Sequence, residues 1–184
     1  MNQPTKSYDH LHASSLRISK FHFLYALLFI VQTIIFHASK VITPELLLKR
    51  WFAAASLLIV TTGVWLFVRN KQNGPAMYRF LLGLLILADI AFAAFNVYTQ
   101  RGYASKSVLL FLIPIIVASA LLSRAALMAT AIVAVAVYST TAISYFVLNF
   151  NEGYMSELYA EVGFYSGIFL LTAGLLWSTV KKHR

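Results

Sequence analysis

The stretch VLLFLIPIIVASALLSRAALMATAIVAVAVYSTTAISYFVL, Val108–Leu148, decides how the chain is read. Within these 41 residues only Ser123-Arg124 interrupts the apolar character. A single helix of that length would be about 60 Å long, twice the ~30 Å hydrocarbon thickness of a bilayer. Two helices joined by a tight hairpin at Leu122–Ala126 resolve the mismatch, with neither Gly nor Pro in the turn. Crossing the hydrocarbon takes roughly 20 mostly apolar residues, and four more such runs flank this one. The expected spans are Phe21–Ala38, Trp51–Val68, Phe80–Tyr98, Val108–Ser123, Ala125–Leu148 and Tyr159–Val180.

Composition leads to the same class. The chain has 184 residues, of which 60% are hydrophobic and 11% charged, against about 25% charged in a typical soluble domain. With no cysteine there is no disulfide, thiolate metal site, iron–sulfur cluster or cysteine redox switch. The net charge of +9 comes from Lys and Arg set between apolar runs, where membrane topology accounts for them; no nucleic-acid partner is expected. Residues 1–20 read as a polar cytoplasmic tail. They are not a cleaved signal peptide, because no small-residue cleavage pattern follows the first apolar run.

Short loops, the clearest being Arg69–Pro75 with its Gly74-Pro75 stop, force successive helices to be antiparallel. The expected fold is therefore an all-α integral membrane protein: a six-transmembrane-helix antiparallel bundle over residues 21–180 and a short end at 181–184. Placing both termini in the cytoplasm puts ten Lys and Arg inside and five outside, as the positive-inside rule prefers. Lys49 and Arg50 are counted in an outer loop and weigh against that orientation. The lipid bilayer is the first expected partner.

The polar residues inside the spans are the candidate functional groups. Asp89, in Leu87-Ala-Asp-Ile90, is the one acidic residue at mid-membrane depth, where an ionised carboxylate costs at least ~2.5–3.5 kcal/mol. It is read either as a proton-responsive or ligand-binding carboxyl, or as a protonated group bonded across a helix interface. Asn96 lies two turns along the same face. Hydroxyls and amides such as Gln32, Thr61, Thr62 and Tyr138 are its expected partners, since no Lys or Arg is read at that depth. Tyr138-Ser-Thr-Thr141 and Ser144-Tyr145 could line a polar cavity or bond to their own helix and its neighbours. Pro114 removes a backbone hydrogen bond and should kink the fourth span. Gly163, Gly167 and Gly174 form a small-residue pattern for close helix packing, either within the chain or in a homodimer. His10, His12, His22, His37 and His183 do not converge by spacing, so no metal site is expected. No catalytic constellation or phosphate loop appears, and no enzyme is expected.

The block Tyr78–Tyr138 resembles the membrane-embedded input region of bacterial two-component sensor histidine kinases with six membrane helices. The resemblance is carried by Arg79-Phe-Leu-Leu leading to Leu87-Ala-Asp89-Ile90, then Tyr98 and Gly102, Leu112-Ile-Pro114-Ile115 with Ala118 and Ala120, Leu122-Ser-Arg124, and a small-residue helix ending at Tyr138. It implies a sensory module in a bacterial inner membrane, with Asp89, Asn96, Gly102, Pro114 and Tyr138 as ligand or signal-coupling candidates and a cytoplasmic or membrane signalling partner. In the redox-responsive branch of that family the loop after the third helix carries a double glycine and an Asn-Pro-Phe sequence implicated in quinone binding. Here the loop reads Arg101-Gly-Tyr-Ala-Ser-Lys-Ser107, keeping one glycine, and no cofactor is expected. The family continues into a phosphoacceptor helix and an ATP-binding domain, whereas this sequence stops at Lys181-Lys-His-Arg184. The expectation is an input module without its kinase, either excised or naturally kinase-less. The competing expectations are a small transporter or channel using Asp89, Asn96 and the fifth-span hydroxyls, and an accessory subunit holding a partner through the Gly163–Gly174 face.

Overall fold

Thr43-Pro44-Glu45 shows how local chemistry sets the helix boundaries. The Thr43 hydroxyl accepts from the Leu46 N–H (3.3 Å), Pro44 takes the first helical position where no donor is needed, and Glu45 lies in the first turn. In the computed structural model, which describes residues 3–69, 74–100, 105–150 and 156–180, the helices are α1 Gln3–Ala38, α2 Pro44–Arg69, α3 Pro75–Thr99, α4 Leu112–Ser119, α5 Arg124–Phe150 and α6 Ser156–Thr179. A 3₁₀ segment, Lys106–Phe111, runs directly into α4. The described residues contain no strand. Five helices are long and apolar enough to cross a membrane.

Several boundaries differ from the sequence reading. The segment expected as a polar tail is helical from Gln3 and continuous with the first span, giving one helix of 36 residues, about 54 Å. The second helix starts at Pro44, not Trp51, so Lys49 and Arg50 are helical residues and not loop residues. The largest correction concerns the fourth span. The segment Val108–Ser123, expected as one α-helix, is instead six residues of 3₁₀ helix, Lys106–Phe111, followed by eight of α-helix, together about 24 Å long. Pro114 has no N–H to give the Leu110 carbonyl, and upstream the helix tightens to three-residue hydrogen bonds such as Leu112 N–H to Leu109 O. The hairpin turn falls at residues 120–123, not Leu122–Ala126. Ser123 caps the next helix, its hydroxyl accepting from the Ala126 N–H (3.2 Å).

The chain divides into two compact units, Met1–Leu85 and Ile86–Arg184, the division falling inside α3. In the first unit α1 and α2 form an antiparallel hairpin. The buried positions on α1 are Leu11, Ser15, Ser19, His22, Ala26, Phe29 and Thr33; on α2 they are Arg50, Ala54, Leu57, Thr61, Val64 and Val68. Steps of three and four give the 3.5-residue period of a coiled-coil seam, and Ser15, Ser19, Ala26 and Ala54 let the backbones approach closely. The outer faces carry Leu48, Phe52 and Ile59, each more than 70% exposed. Polar residues in the seam with large apolar ones outside is the reverse of a soluble hairpin, and suits one solvated by lipid. At one end of this unit Leu11 joins Val64, Val68, Tyr78, Leu81 and Leu85 in an apolar cluster.

In the second unit α5 and α6 are antiparallel and α4 packs on both. Phe111, at the end of the 3₁₀ segment, meets the Tyr138 ring of α5 (5.8 Å) and the Phe169 ring of α6 (5.7 Å). A Cβ built at Gly163, Gly167 or Gly174 meets nothing within 4 Å. These three glycines of α6 are therefore not needed for a close helix contact among the described residues.

Two turns use non-glycine residues at positive φ, Lys40 (53°) and Leu122 (52°). At Lys40 the α1 end is closed by Val41 N–H to Phe36 O and Lys40 N–H to His37 O, both 3.0 Å, the paired bonds of a Schellman cap in which glycine is the favoured residue. The left-handed backbone costs a side-chain-bearing residue about 1–2 kcal/mol, partly offset by glycine's extra entropy loss of about 0.5–1 kcal/mol. Lys40→Gly should therefore stabilise the chain by about 0.5–1 kcal/mol. Thermal unfolding in neutral detergent checks this, and a lowered Tm would contradict the cap.

Candidate functional site

Asp89 and Asn96 are both 1% exposed on α3, in keeping with their mid-span position and shared face. Asn96 is committed to structure. Its Nδ2 donates to the Phe92 carbonyl (2.8 Å) and its Oδ1 accepts from Gln100 Nε2 (3.3 Å). Gln100 Oε1 in turn accepts from the Ser107 hydroxyl (2.8 Å). The result is a polar relay that ties the end of α3 to the start of the 3₁₀ segment, so Asn96 helps set where the broken fourth helix begins. Gly102 lies outside the described residues.

Pro114 is buried in α4, and Tyr138 is fully buried on α5. The structure brings their neighbourhoods together through the Phe111 ring. Tyr138 also meets Tyr165 (6.0 Å) and Phe169 (5.7 Å) edge-on, geometries that favour aromatic pairs by about 0.5–1.5 kcal/mol beyond their area. The Tyr138 hydroxyl has no hydrogen-bond partner among the described residues, so it is not the hydroxyl partner of Asp89 that the sequence suggested. Of the other expected partners, Gln32 accepts from Arg50 and the Thr61 hydroxyl has no hydrogen-bond partner among the described residues. Lower on α5 the Thr130 hydroxyl bonds back to Ala126 O (2.9 Å), the common fate of hydroxyls in membrane helices.

The far end of this unit is held by Arg124. Its Nε donates to the Val180 carbonyl (3.2 Å) and its guanidinium lies 5.3 Å from the centre of the Trp177 ring. A cation at the last carbonyls of α6 also complements the negative end of the helix dipole. Arg124 stands at the start of α5, so the turn after α4 and the end of α6 are joined by one side chain.

The residue that sequence reasoning missed is Arg50. Assigned to an outer loop, it is fully buried. Nε donates to Thr33 Oγ1 (3.1 Å) and Nη2 to Gln32 Oε1 (2.8 Å), while Phe29 and Phe36 present their rings at 4.4 and 5.2 Å from Cζ. Thr33 is itself satisfied, donating to Phe29 O (2.9 Å). Nη1 has no partner among the described residues. The signal that could have found it is the Thr43-Pro44-Glu45 helix start, which places Arg50 well inside α2.

The histidines also change role. His12, expected in a tail, donates from Nε2 to the Val68 carbonyl near the end of α2 (3.2 Å) and stacks edge-on to Tyr78 (5.4 Å). His22 Nδ1 donates to Ile18 O (2.9 Å); His10 and His37 are exposed. Among the described residues no three His, Asp or Glu side chains gather in a group able to hold a metal. No family model, curated protein or solved structure matches the chain.

A buried hydroxyl without a partner costs about 1–3 kcal/mol. Tyr138→Phe keeps the ring contacts and removes that cost, so it should stabilise the protein by about 1 kcal/mol. Thermal unfolding of the purified protein is the readout. A destabilised Phe variant would instead mean that the hydroxyl holds a bound water or ligand.

Proposed function

We propose that the chain is a multi-pass signal-input module of a bacterial inner membrane, with both termini cytoplasmic. The observation that carries this reading is the Arg124 contact with Val180 and Trp177. It couples the turn following the broken fourth helix to the last residues of the last helix, the route by which a packing change would leave the membrane. A stimulus acting near Asp89 and Pro114 repacks Phe111 against Tyr138 and Phe169, and α6 carries the shift to its end at Val180. The interrupted 3₁₀–α segment suits this role, because a short helix held by ring contacts has alternative arrangements that a straight span lacks. The sequence resemblance to kinase input regions supports the same assignment.

The orientation is supported by the burial of Arg50. A residue packed between helices no longer counts as an outer-loop charge, leaving ten basic residues inside and four outside. With no native cysteine, single-cysteine labelling reads the topology directly. Val41→Cys should react with a membrane-impermeant thiol reagent in intact cells, and Gly74→Cys only after permeabilisation; the opposite pattern would reverse the orientation.

For function, a kinase output joined after α6 provides the assay. Asp89→Asn and Arg124→Gln should each change its phosphorylation level several-fold. Unchanged output in both would sink the input-module reading. The change from 3₁₀ to α-helix within the fourth segment also favours a second reading, a small transporter, since irregular helices in membranes are found where they line a cavity. Asp89-dependent solute flux in proteoliposomes would select it.

A further inference from the structure

A guanidinium is charged at any accessible pH, and Arg50 carries that charge with no exposed surface. Among the described residues no carboxylate balances it. The described ion pair in this part of the chain is Lys49 with Glu45, and it leaves Arg50 aside. Two neutral oxygens, Gln32 Oε1 and Thr33 Oγ1, orient the guanidinium plane. Two aromatic rings add cation–π attraction, which strengthens when the pair is desolvated. An uncompensated buried charge is strongly unfavourable, and one donor nitrogen, Nη1, is left unused. Three features thus meet at one point: a permanent cation, a free donor, and neighbours that fix its direction.

We propose that Arg50 is the centre of an anion site at the α1–α2 hairpin, binding a phosphate group through Nη1. The position suits a phosphate of a lipid headgroup or free phosphate. Arg50 lies six residues into α2, about 9 Å from the start of the helix, near the depth where headgroup phosphates meet the hydrocarbon. At the same end Lys40 is exposed, so an approaching anion meets positive charge. Glu45, the acid there, is already paired with Lys49. Phe36 is half-buried and covers the guanidinium from the side, so entry requires that ring to turn aside. Arginine is the residue suited to this task, because its planar fork can hold Gln32 and Thr33 and still leave Nη1 uncommitted.

The test is thermal unfolding of the purified full chain in neutral detergent at constant ionic strength. The additions are phosphatidylglycerol, phosphatidylcholine, inorganic phosphate, or chloride alone. Phosphatidylglycerol should raise Tm by about 2–4 °C, with no rise from phosphatidylcholine or chloride. Arg69→Gln, at the other end of α2, should keep the rise. Arg50→Met should lose it while unfolding no earlier than the unaltered protein without lipid, since an apolar side chain replaces an uncompensated charge. An equal rise with inorganic phosphate would support the site with the free anion as its ligand; a rise with lipid alone supports the headgroup. No rise with either phosphate source, or a rise that survives in Arg50→Met, would overturn the proposal. Should Arg50→Met fail to fold, Arg50→Lys decides: it keeps charge but loses the fork, and should at least halve the shift, whereas an undiminished shift overturns the role of the guanidinium.

Discussion

The cation–π sandwich of Arg50 between Phe29 and Phe36, with Thr33 and Gln32 holding two of its nitrogens, is the interaction around which the first unit is organised. A full charge inside a helix pair destined for lipid has no water to fall back on, so every favourable contact must come from protein or from a bound group. That requirement sets the register of the hairpin. With Thr33 beside Arg50 at one end and His12 at Val68 near the other, the steps of three and four along both helices bring Ser19, His22 and Ala26 onto the seam opposite Leu57, Thr61 and Val64. The seam takes in Ser, Thr, His and Arg beside Leu57 and Val64, while other large apolar side chains face outward, where acyl chains can solvate them.

The second unit is built on a different constraint, the missing donor of Pro114. A continuous fourth helix would place its apolar residues evenly along a full crossing. The 3₁₀ segment instead lengthens the rise per residue and delivers Phe111 into the angle between Tyr138 and Phe169. The start of that segment is held by Asn96, Gln100 and Ser107, and the turn beyond α4 is linked through Arg124 to the end of α6. Side chains from three other helices, α3, α5 and α6, thus surround one short element. Polar contacts hold its start and ring contacts hold the end of its 3₁₀ part.

Much of this is legible along the chain. The class, the short connections and the places of α3, α5 and α6 come from apolar runs of membrane length and their Gly, Pro and Ser punctuation, and the burial of Asp89, Asn96 and Pro114 comes from their depth. The fourth helix is not legible: Val108–Ser123 is apolar enough to span, and nothing in its composition distinguishes a kink at Pro114 from a change of helix type. Arg50 is obscured by hydropathy, which treats a charge at the end of an apolar run as a boundary. The Thr43-Pro44-Glu45 cap is the better guide, since capping marks where backbone donors need partners, whatever the polarity of the residues beyond it.

Helical structure suited to a membrane follows from the order of residues alone, because a long apolar segment can satisfy its backbone in lipid only by internal hydrogen bonding. Which side chains face inward is settled by packing between helices. In helices apolar on every face the periodicity that marks a soluble core is absent, and inner faces are selected by close approach and by the need to shelter polar groups. That selection placed Arg50 in the seam, left the Tyr138 hydroxyl without a partner among the described residues, and turned Gly163, Gly167 and Gly174 to open space.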